Sequence, residues 1–205
     1  DVGCGMGGLS KIIYDKGIKV QSLTPDNNQK NHIKHKYKEL TVHHMKFEDF
    51  KTEEKFGTII NSESLQYIDL DTAFKSVSEI LAENGRWIVT DYFRTNDSGI
   101  NKSGHMHSEF LASIDRNGWK VVHKNDMTLN ALPTLKFAIT FIDRFIKPLA
   151  LFSNEKFKFK QGWLFYLTKE LRSSLSKKSE KELAALDPEK FVKEKEYMLY
   201  VLERK

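Results

Sequence analysis

Apolar positions in the first part of the chain alternate between two spacings. Leu9, Ile12 and Ile13 recur at helical intervals, which predicts a short helix ending at Gly17. The compact apolar run 56–60 instead predicts a strand buried on both faces. The predicted strands cover 18–23, 41–46, 56–60, 86–93, 119–123 and 197–202. This alternation with helices predicts a Rossmann-like, doubly wound α/β sheet that is mostly parallel.

Three further helices are predicted between these strands. A polar helix starts at the turn 24–27 and runs towards Leu40. An apolar stripe at helical spacing predicts the next helix over 70–81, with Asn84-Gly85 as its stop signal. The last one carries 110–114 and ends near Asn117-Gly118.

The alternation of strands and helices stops between about 130 and 190. Two or three helices rich in aromatic side chains are predicted there, before the last strand. We expect one domain over 1–205, with this stretch as a helical insertion. An insertion at this point in the chain would lie over the ligand edge of the sheet. Its apolar residues could form a lid over a lipophilic acceptor, pack against one another, or form a dimer or membrane-surface contact.

The chain opens on a glycine-rich turn, with glycines at Gly3, Gly5 and Gly8. Glycines let a backbone pass close to a ligand, and the following helix offers free amide groups. The same spacing occurs in dinucleotide-binding enzymes, but those place an acid at the end of the second strand, and the segment 20–24 has none. Because a doubly wound sheet has a strand before such a turn, the first strand is predicted to be missing from this chain.

Five ordered motifs resemble one family. Asp1-Val2-Gly3-Cys4-Gly5-Met6-Gly7 resembles motif I of class I S-adenosylmethionine-dependent methyltransferases. Segments 24–29 and 61–67 are similar to the Thr-x-Ser-x-x-Gln and Ser-Met-Glu-Ser-Gly-Glu-His segments of the cyclopropane fatty acid synthase and tocopherol methyltransferase branch. Segments 81–87 and 118–122 resemble the turn before strand five and a later Gly-Phe-x-Val-Val strand. The resemblance covers roughly 1–130 and the last strand.

This resemblance implies S-adenosylmethionine as the cofactor and S-adenosylhomocysteine as the product. Asp1 would hold the methionine amino group, and the backbone at Gly3 and Gly5 would approach the cofactor. The full set of implied cofactor-binding residues is Asp1, Gly3, Cys4, Gly5, Thr24, Gln29, Phe47, Asn61 and Ser62. Within it, Thr24 and Gln29 would contact the ribose side and Phe47 would border the adenine.

The sequence departs from the family at two places. Lys46 stands where the family has an acid for the adenine amino group, and lysine cannot accept that hydrogen bond. Gln66 and Tyr67 stand where the cyclopropane synthases have a Glu and a His that help to bind a bicarbonate base. Ordinary methyl transfer is therefore favoured over cyclopropane formation.

A base is needed only if the acceptor must lose a proton. The predicted catalytic residues are Glu63, Tyr67 and Asp126. Asp91, His105 and His107 are further candidates, although each carboxylate could equally serve as a turn or cap residue. No metal is expected, because the neighbours His43 and His44 would point to opposite faces of a strand, and His105 and His107 have no evident acid or cysteine partners nearby in the sequence.

Composition bears on the partners and the location of the protein. The net charge is +5, but the lysines are scattered among acids, so no nucleic-acid partner is expected. No apolar run is long enough to span a membrane, while peripheral membrane contact stays open. The single cysteine, Cys4, suits a reducing compartment, and we expect a cytoplasmic protein of undetermined oligomeric state.

The predicted function is methyl transfer to a small acceptor that is lipophilic or contains an amine. Two alternatives remain at this point. One is a lipid-modifying enzyme like the cyclopropane fatty acid synthases, and the other is a non-catalytic module with the same fold.

Overall fold

The computed structural model describes residues 1–97, 102–184 and 187–205. They fall into two compact units. The first comprises Asp1–Thr95, Ser103–Met127 and Glu196–Lys205, and it carries the sheet. The second comprises the described residues of Asn96–Lys102 and Thr128–Lys195, and it is helical. That the chain is a single domain stays a prediction.

Six strands are described: β1 (Gln21–Thr24), β2 (Thr41–His44), β3 (Phe56–Ser62), β4 (Leu81–Arg94), β5 (Trp119–Asp126) and β6 (Lys195–Arg204). β1 and β2 run parallel, as do β3 and β4. The four-strand group has the order β3-β4-β6-β5, and β5 and β6 are antiparallel. The predicted mostly parallel α/β sheet is confirmed.

Val2 joins the two groups of strands. It forms parallel bridges with Leu23 of β1 and Asn61 of β3, and its amide donates to the carbonyl of Ile60 at 2.8 Å. Towards the amino ends of β1 and β3 lies a cavity of about 220 Å³, lined mainly by apolar side chains. Val2 therefore lies between β1 and β3 and links the two groups of strands.

Four helices pack with the sheet: α1 (Gly8–Asp15), α2 (Asn27–Lys36), α3 (Leu70–Ile80) and α4 (His107–Arg116). Two of them begin at capping carboxylates. Asp26 accepts hydrogen bonds from the amides of Asn28 (2.7 Å) and Gln29 (2.9 Å), and Asp69 accepts one from the amide of Thr72 (3.0 Å). Such caps satisfy the free amides of a first turn and stabilise a helix by about 1 kcal/mol each.

The core of the first unit is aromatic. The rings of Phe74, Trp87 and Trp119 are buried and meet edge to face, with centroids 4.9 to 6.0 Å apart. Aromatic pairs in this arrangement add about 0.5–1.5 kcal/mol each beyond area burial. This core packs α3 against β4 and β5.

One predicted boundary is wrong. α3 ends at Ile80 rather than at Asn84-Gly85, and β4 starts at Leu81. The reason is that Leu81 has an extended backbone and pairs with Phe56 of β3, so the chain enters the sheet five residues earlier than predicted strand 86–93.

The second unit contains five described helices, α5 (Thr128–Phe141), α6 (Lys147–Lys160), α7 (Gly162–Leu167), α8 (Lys169–Ala184) and α9 (Pro188–Glu194). A π-helical turn, Ile142–Ile146, continues α5 directly into α6. The sequence predicts two or three helices here; the described part of the unit has more because Gln161 and Thr168 interrupt the run.

Candidate cofactor and acceptor site

The glycine turn adopts a backbone that only glycine accommodates easily. Gly3, Gly5 and Gly7 have φ angles of 69°, 55° and 81°. A Cβ on Gly3 would lie 2.4 Å from the Cβ of Ser64, whereas a Cβ on Gly5 would meet no atom within 4 Å. Gly3 thus lets the turn rest on Ser64, and Gly5 leaves open space where a ligand could approach the backbone.

The acid at the start of the turn is held by the following helix. The hydroxyl of Ser10, buried in α1, donates to Oδ2 of Asp1 at 2.6 Å. Sequence reasoning missed Ser10, although a hydroxyl one turn into the helix was a visible signal. This bond orients the Asp1 carboxylate, whose predicted role is to hold an amino group.

The free thiol of Cys4 is buried and contributes to packing. Its side chain is buried in a small apolar cluster with Ile33 and Leu40. Burial raises the pKa of the Cys4 thiol, and its amide donates to the carbonyl of Leu23 at 3.0 Å. A cofactor contact at Cys4, which the resemblance implies, stays a prediction.

Thr24 and Gln29 are hydrogen-bonded to each other. The buried hydroxyl of Thr24 donates to Oε1 of Gln29 at 2.6 Å, and it accepts from the amide of Asp26 at 3.2 Å. Because Oε1 is engaged, the Nε2 group is the end of Gln29 that can donate to a ribose hydroxyl.

A cleft of about 260 Å³ lies beside the glycine turn. It brings together three of the predicted site residues, Gly3, Phe47 and Tyr67. It is also lined by residues that were not predicted as ligands, namely Pro25, Lys46, Glu48 and Ser64. Glu48 belongs to the single 3₁₀ turn Phe47–Asp49 after β2, so an acid does reach the cleft two residues beyond Lys46.

Asn61 forms a buried network under this cleft. Its Nδ2 donates to the hydroxyl of Ser64 at 2.9 Å, and its Oδ1 accepts from the indole Nε1 of Trp87 at 2.9 Å. The Ser64 hydroxyl in turn donates to the carbonyl of Val2 at 2.6 Å. The structure therefore gives the Asn61 amide a role in tying the glycine turn to β3 and β4. Cofactor contacts of Asn61 and its neighbour Ser62 stay predictions.

Glu63 stands at the carboxyl end of β3 in a strained conformation. Its φ is 55°, and among the described residues it is the only non-glycine residue with a positive φ. Its amide donates to the carbonyl of Thr90 at 2.7 Å, which holds it beside β4. Conformations of this kind cost about 1–3 kcal/mol and concentrate at functional sites.

Two tyrosines adjoin Glu63. The hydroxyl of Tyr197 donates to Oε1 of Glu63 at 3.0 Å, and the ring of Tyr197 stacks on the ring of Tyr92 with centroids 4.3 Å apart. Burial raises the pKa of Tyr92 to about 12, and burial together with the Glu63 contact raises the pKa of Tyr197 further. Both phenols are therefore neutral donors at ordinary pH. Sequence reasoning missed both tyrosines.

Two of the other candidate bases support the loop after β3. Asp91, which is buried, accepts from the amides of Gln66 (3.0 Å) and Tyr92 (2.8 Å), and burial raises its pKa. Nε2 of His105 lies 3.0 Å and 2.9 Å from the carbonyls of Leu65 and Ile68. These contacts fix the loop that carries Glu63 and leave Tyr67, 79% exposed, at the mouth of the cleft.

The third predicted catalytic residue lies apart from the other two. Asp126 ends β5 and pairs with Met198 of β6. In the order β3-β4-β6-β5, β5 stands three strand spacings, roughly 14 Å, from the strand that leads to Glu63. Glu63 and Tyr67 share one loop, whereas Asp126 lies at the end of another strand; the catalytic role of each of the three stays a prediction.

A further polar cluster surrounds His107 at the start of α4. Its Nδ1 contacts the carboxylate of Glu196, and its Nε2 lies 2.6 Å from the hydroxyl of Tyr200. Burial raises the pKa of Tyr200 to about 12, with the charges of Glu196 and Asp126 adding to the effect. Within the described residues no group of three or more His, Cys, Asp or Glu side chains could hold a metal ion.

Comparison with known proteins agrees with this geometry. Residues 1–89 match the family model of a methyltransferase domain. A curated relative, the sterol 4-C-methyltransferase strm-1 of Caenorhabditis elegans, is 29% identical over 127 residues, covering 56% of this chain and 36% of the relative. The chain thus spans little more than a third of that relative's length.

Solved structures share the fold over the whole chain. Geranyl diphosphate C-methyltransferase from Streptomyces coelicolor A3(2), solved with Mg²⁺, geranyl diphosphate and S-adenosylhomocysteine, has a TM-score of 0.71 at 18% identity, covering 100% of this chain and 71% of that one. Cyclopropane synthase MmaA2 from Mycobacterium tuberculosis has a TM-score of 0.67 at 15% identity, covering 98% of this chain and 76% of that one. The predicted class I methyltransferase fold is confirmed, as is the resemblance to S-adenosylmethionine-dependent methyltransferases.

Proposed function

We propose that this protein transfers a methyl group from S-adenosylmethionine to a small lipophilic acceptor. The single observation that carries the proposal is the position of Glu63. It follows the strand whose Asn61 anchors the glycine turn, and its loop also supplies Ser64 and Tyr67 to the cleft. The Glu63 carboxylate thus belongs to the loop that lines the cleft and is bonded to one of two stacked tyrosines.

The residues beside the cleft fit the cofactor. Gly5 leaves its backbone open on one side, and Gly3 lets the turn lie directly over Ser64. The Nε2 group of Gln29 would donate to a ribose hydroxyl, the Asp1 carboxylate would accept from the amino group, and the edge of Phe47 would border the adenine. When bound, S-adenosylmethionine would supply an electrophilic methyl group, whose carbon would bond to the acceptor in line as its bond to the sulfonium sulfur breaks and S-adenosylhomocysteine leaves.

The tyrosine pair and Glu63 would bind the acceptor. The flat faces of Tyr92 and Tyr197 offer apolar surface, and the bond from Tyr197 holds Glu63 in one orientation. Glu63 could accept a proton from the acceptor or stabilise positive charge that develops on it. Because the phenols stay neutral, they would orient the carboxylate without competing for that proton.

Lipophilic acceptors are favoured by the similar proteins, whose names specify geranyl diphosphate, a sterol and a cyclopropane synthase. An amine acceptor is the second candidate, because a carboxylate beside aromatic faces also suits a cation. Cyclopropane formation remains an alternative through the likeness to MmaA2, with Gln66 and Tyr67 against it. Three statements stay predictions: a cytoplasmic location, a small-molecule acceptor and the absence of a nucleic-acid partner. No described helix is long and apolar enough to cross a membrane.

The first test is calorimetric titration with S-adenosylhomocysteine. We expect micromolar binding that Gly5→Ala weakens at least tenfold, because a Cβ would fill the space open to the ligand. Gly17→Ala is the matched control: Gly17 also has a positive φ and no atom near its missing Cβ, but it lies at the end of α1. Binding of NADH in place of S-adenosylhomocysteine would contradict the proposal.

The second test uses methyl-labelled S-adenosylmethionine and a panel of a sterol, an isoprenoid diphosphate, an unsaturated fatty chain and an amine. Label in one of the first two products supports the proposal, and label in the amine alone supports the second candidate. Proton NMR of a labelled fatty chain separates a cyclopropane ring from a methyl branch. Tight cofactor binding without transfer to any compound would favour the non-catalytic alternative.

A further inference from the structure

The helical second unit exposes its apolar side chains. Of the described residues in this unit, Phe191 is the only apolar side chain that is buried. Phe159, Trp163 and Leu167 are 92%, 71% and 73% exposed. Single exposed apolar residues are ordinary, but a contiguous apolar surface on a folded protein marks an interaction site.

Part of this surface is a continuous line of rings. Phe137, Phe141 and Phe145 follow one another at intervals of four residues along α5 and the π-helical turn, and all three are exposed. Their ring centroids are 6.4 Å and 5.3 Å apart in sequence order. Leu149 and Phe152, both exposed, continue the apolar positions into α6.

The same stretch carries the whole net charge of the protein. We call residues 128–172 the basic aromatic segment: it holds eight Lys or Arg against three Asp or Glu, a surplus of five, and the chain as a whole has a net charge of +5. The remainder of the chain is formally neutral. Lys136, Lys158 and Lys160 are exposed among the aromatic residues, and the ammonium of Lys156 lies 5.9 Å from the centre of the Phe152 ring.

We propose that the basic aromatic segment binds the surface of an anionic lipid bilayer. Helices that combine exposed Phe, Leu and Trp with Lys and Arg lie in the plane of the lipid–water interface, where the apolar groups enter the acyl boundary and the cations meet anionic headgroups. Trp163 and Tyr166 of α7, both exposed, have the amphipathic rings that favour this boundary.

Two other ways of covering the surface fit less well. A second copy in a two-fold contact would bring two segments of charge +5 together, which is electrostatically unfavourable. Crossing the bilayer is also disfavoured, since no described helix is long and apolar enough to do so. An anionic surface complements both the charge and the apolar groups. Such binding would bring the protein to the phase in which lipophilic acceptors dissolve, but it does not require methyl transfer.

The test is flotation of the full chain with vesicles of phosphatidylcholine alone or with about 30% phosphatidylserine. We expect binding to the anionic vesicles that weakens when salt rises from about 0.1 to 0.5 M. Phe137→Ala, Phe141→Ala and Phe145→Ala combined should lower the partition coefficient about tenfold or more, since alanine keeps the helix and removes the rings. Ile12→Ala, Tyr14→Ala and Ile18→Ala, three exposed residues of the first unit, form the matched control.

A charge variant tests the second component. Lys136→Gln, Lys158→Gln and Lys160→Gln should weaken anionic binding, whereas Lys34→Gln, Lys36→Gln and Lys38→Gln, which remove equal charge near α2, should not. Equal loss with both sets would mean that only net charge matters, and would overturn the assignment to this segment. No binding to anionic vesicles would overturn the proposal. So would a dimer seen by sedimentation that the phenylalanine variant dissociates, because a second copy would then cover the surface.

Discussion

The two halves of the candidate site are assembled over different distances along the chain. The glycine turn and the cleft beside it use short stretches within the first 68 residues. The acceptor half depends on a hydrogen bond between Glu63 and Tyr197, which are 134 positions apart, and on the stacking of Tyr197 against Tyr92. The first half is determined by local backbone geometry and the second by the order of strands in the sheet. Substitutions in the first should therefore affect stability and cofactor binding together, and substitutions in the second should affect turnover alone.

Gly3→Ala should have the largest effect. The new Cβ would clash with the Cβ of Ser64 at 2.4 Å and would sit at a φ of 69°, so we expect the free energy of unfolding to fall by about 3 kcal/mol and cofactor binding to be lost. Gly118→Ala is the control, because Gly118 has a φ of 73° but no atom near its missing Cβ. Urea denaturation compares the two. Equal destabilisation would mean that backbone strain, and not the contact with Ser64, requires glycine in the turn.

Asn61→Ala should have the next largest effect. It leaves the buried indole NH of Trp87 and the Ser64 hydroxyl without the Asn61 amide, which we expect to lower the free energy of unfolding by about 2 kcal/mol. Asn117→Ala, which removes an exposed amide bonded to the carbonyl of Ser113, should cost less. A stable Asn61→Ala variant that no longer binds S-adenosylhomocysteine would instead support the direct cofactor contact implied by the family resemblance.

These residues show which parts of the candidate site could be predicted from the sequence and which could not. Gly3, Gly5, Thr24 and Gln29 could be proposed as cofactor-binding residues because each belongs to a short contiguous motif whose spacing is meaningful by itself. The role of Asn61 was not, because the indole of Trp87 that it binds is 26 positions away. Strand order could be inferred in outline from the alternation of elements, but the pairing of specific side chains across strands could not.

The acceptor half illustrates that limit most clearly. Tyr92 and Tyr197 lie on different strands, and nothing in the local sequence of either indicates that their rings stack. Asp126 ends β5, the strand at the other edge of the four-strand group from β3, and the local sequence does not indicate which side chains lie beside it. In the second unit, periodicity indicated helices correctly but could not tell exposed apolar residues from buried ones, since both give the same spacing.

Glu63→Gln and Tyr197→Phe test whether the proposed acceptor half can be changed without an effect on cofactor binding. We expect each to lower kcat about tenfold or more, which corresponds to about 1.4 kcal/mol, with S-adenosylhomocysteine affinity unchanged. The reason is that the bond between them orients the acceptor-side carboxylate and lies outside the contacts of the glycine turn. Tyr14→Phe, on the exposed face of α1, is the control. Loss of cofactor affinity in Tyr197→Phe would show that the two halves are not separable.

Glu48→Gln should have the smallest effect and tests how the cleft compensates for Lys46. Glu48 is the acid that lines the cleft from the 3₁₀ turn after β2, and a carboxylate there could accept the adenine amino group that lysine cannot. The amide still offers an acceptor oxygen but loses the charge, so we expect affinity for S-adenosylhomocysteine to fall about fivefold, or about 1 kcal/mol. The control is Asp49→Asn, the next residue of the same turn, which is exposed and should leave affinity unchanged.

A second titration tests adenine recognition directly. It uses the inosine analogue of S-adenosylhomocysteine, in which a carbonyl replaces the amino group of the adenine. The wild-type chain should bind this analogue more weakly, and Glu48→Gln should reduce the difference, since its amide can donate to the carbonyl. Equal discrimination by both chains would mean that backbone groups of the cleft, rather than Glu48, recognise the adenine.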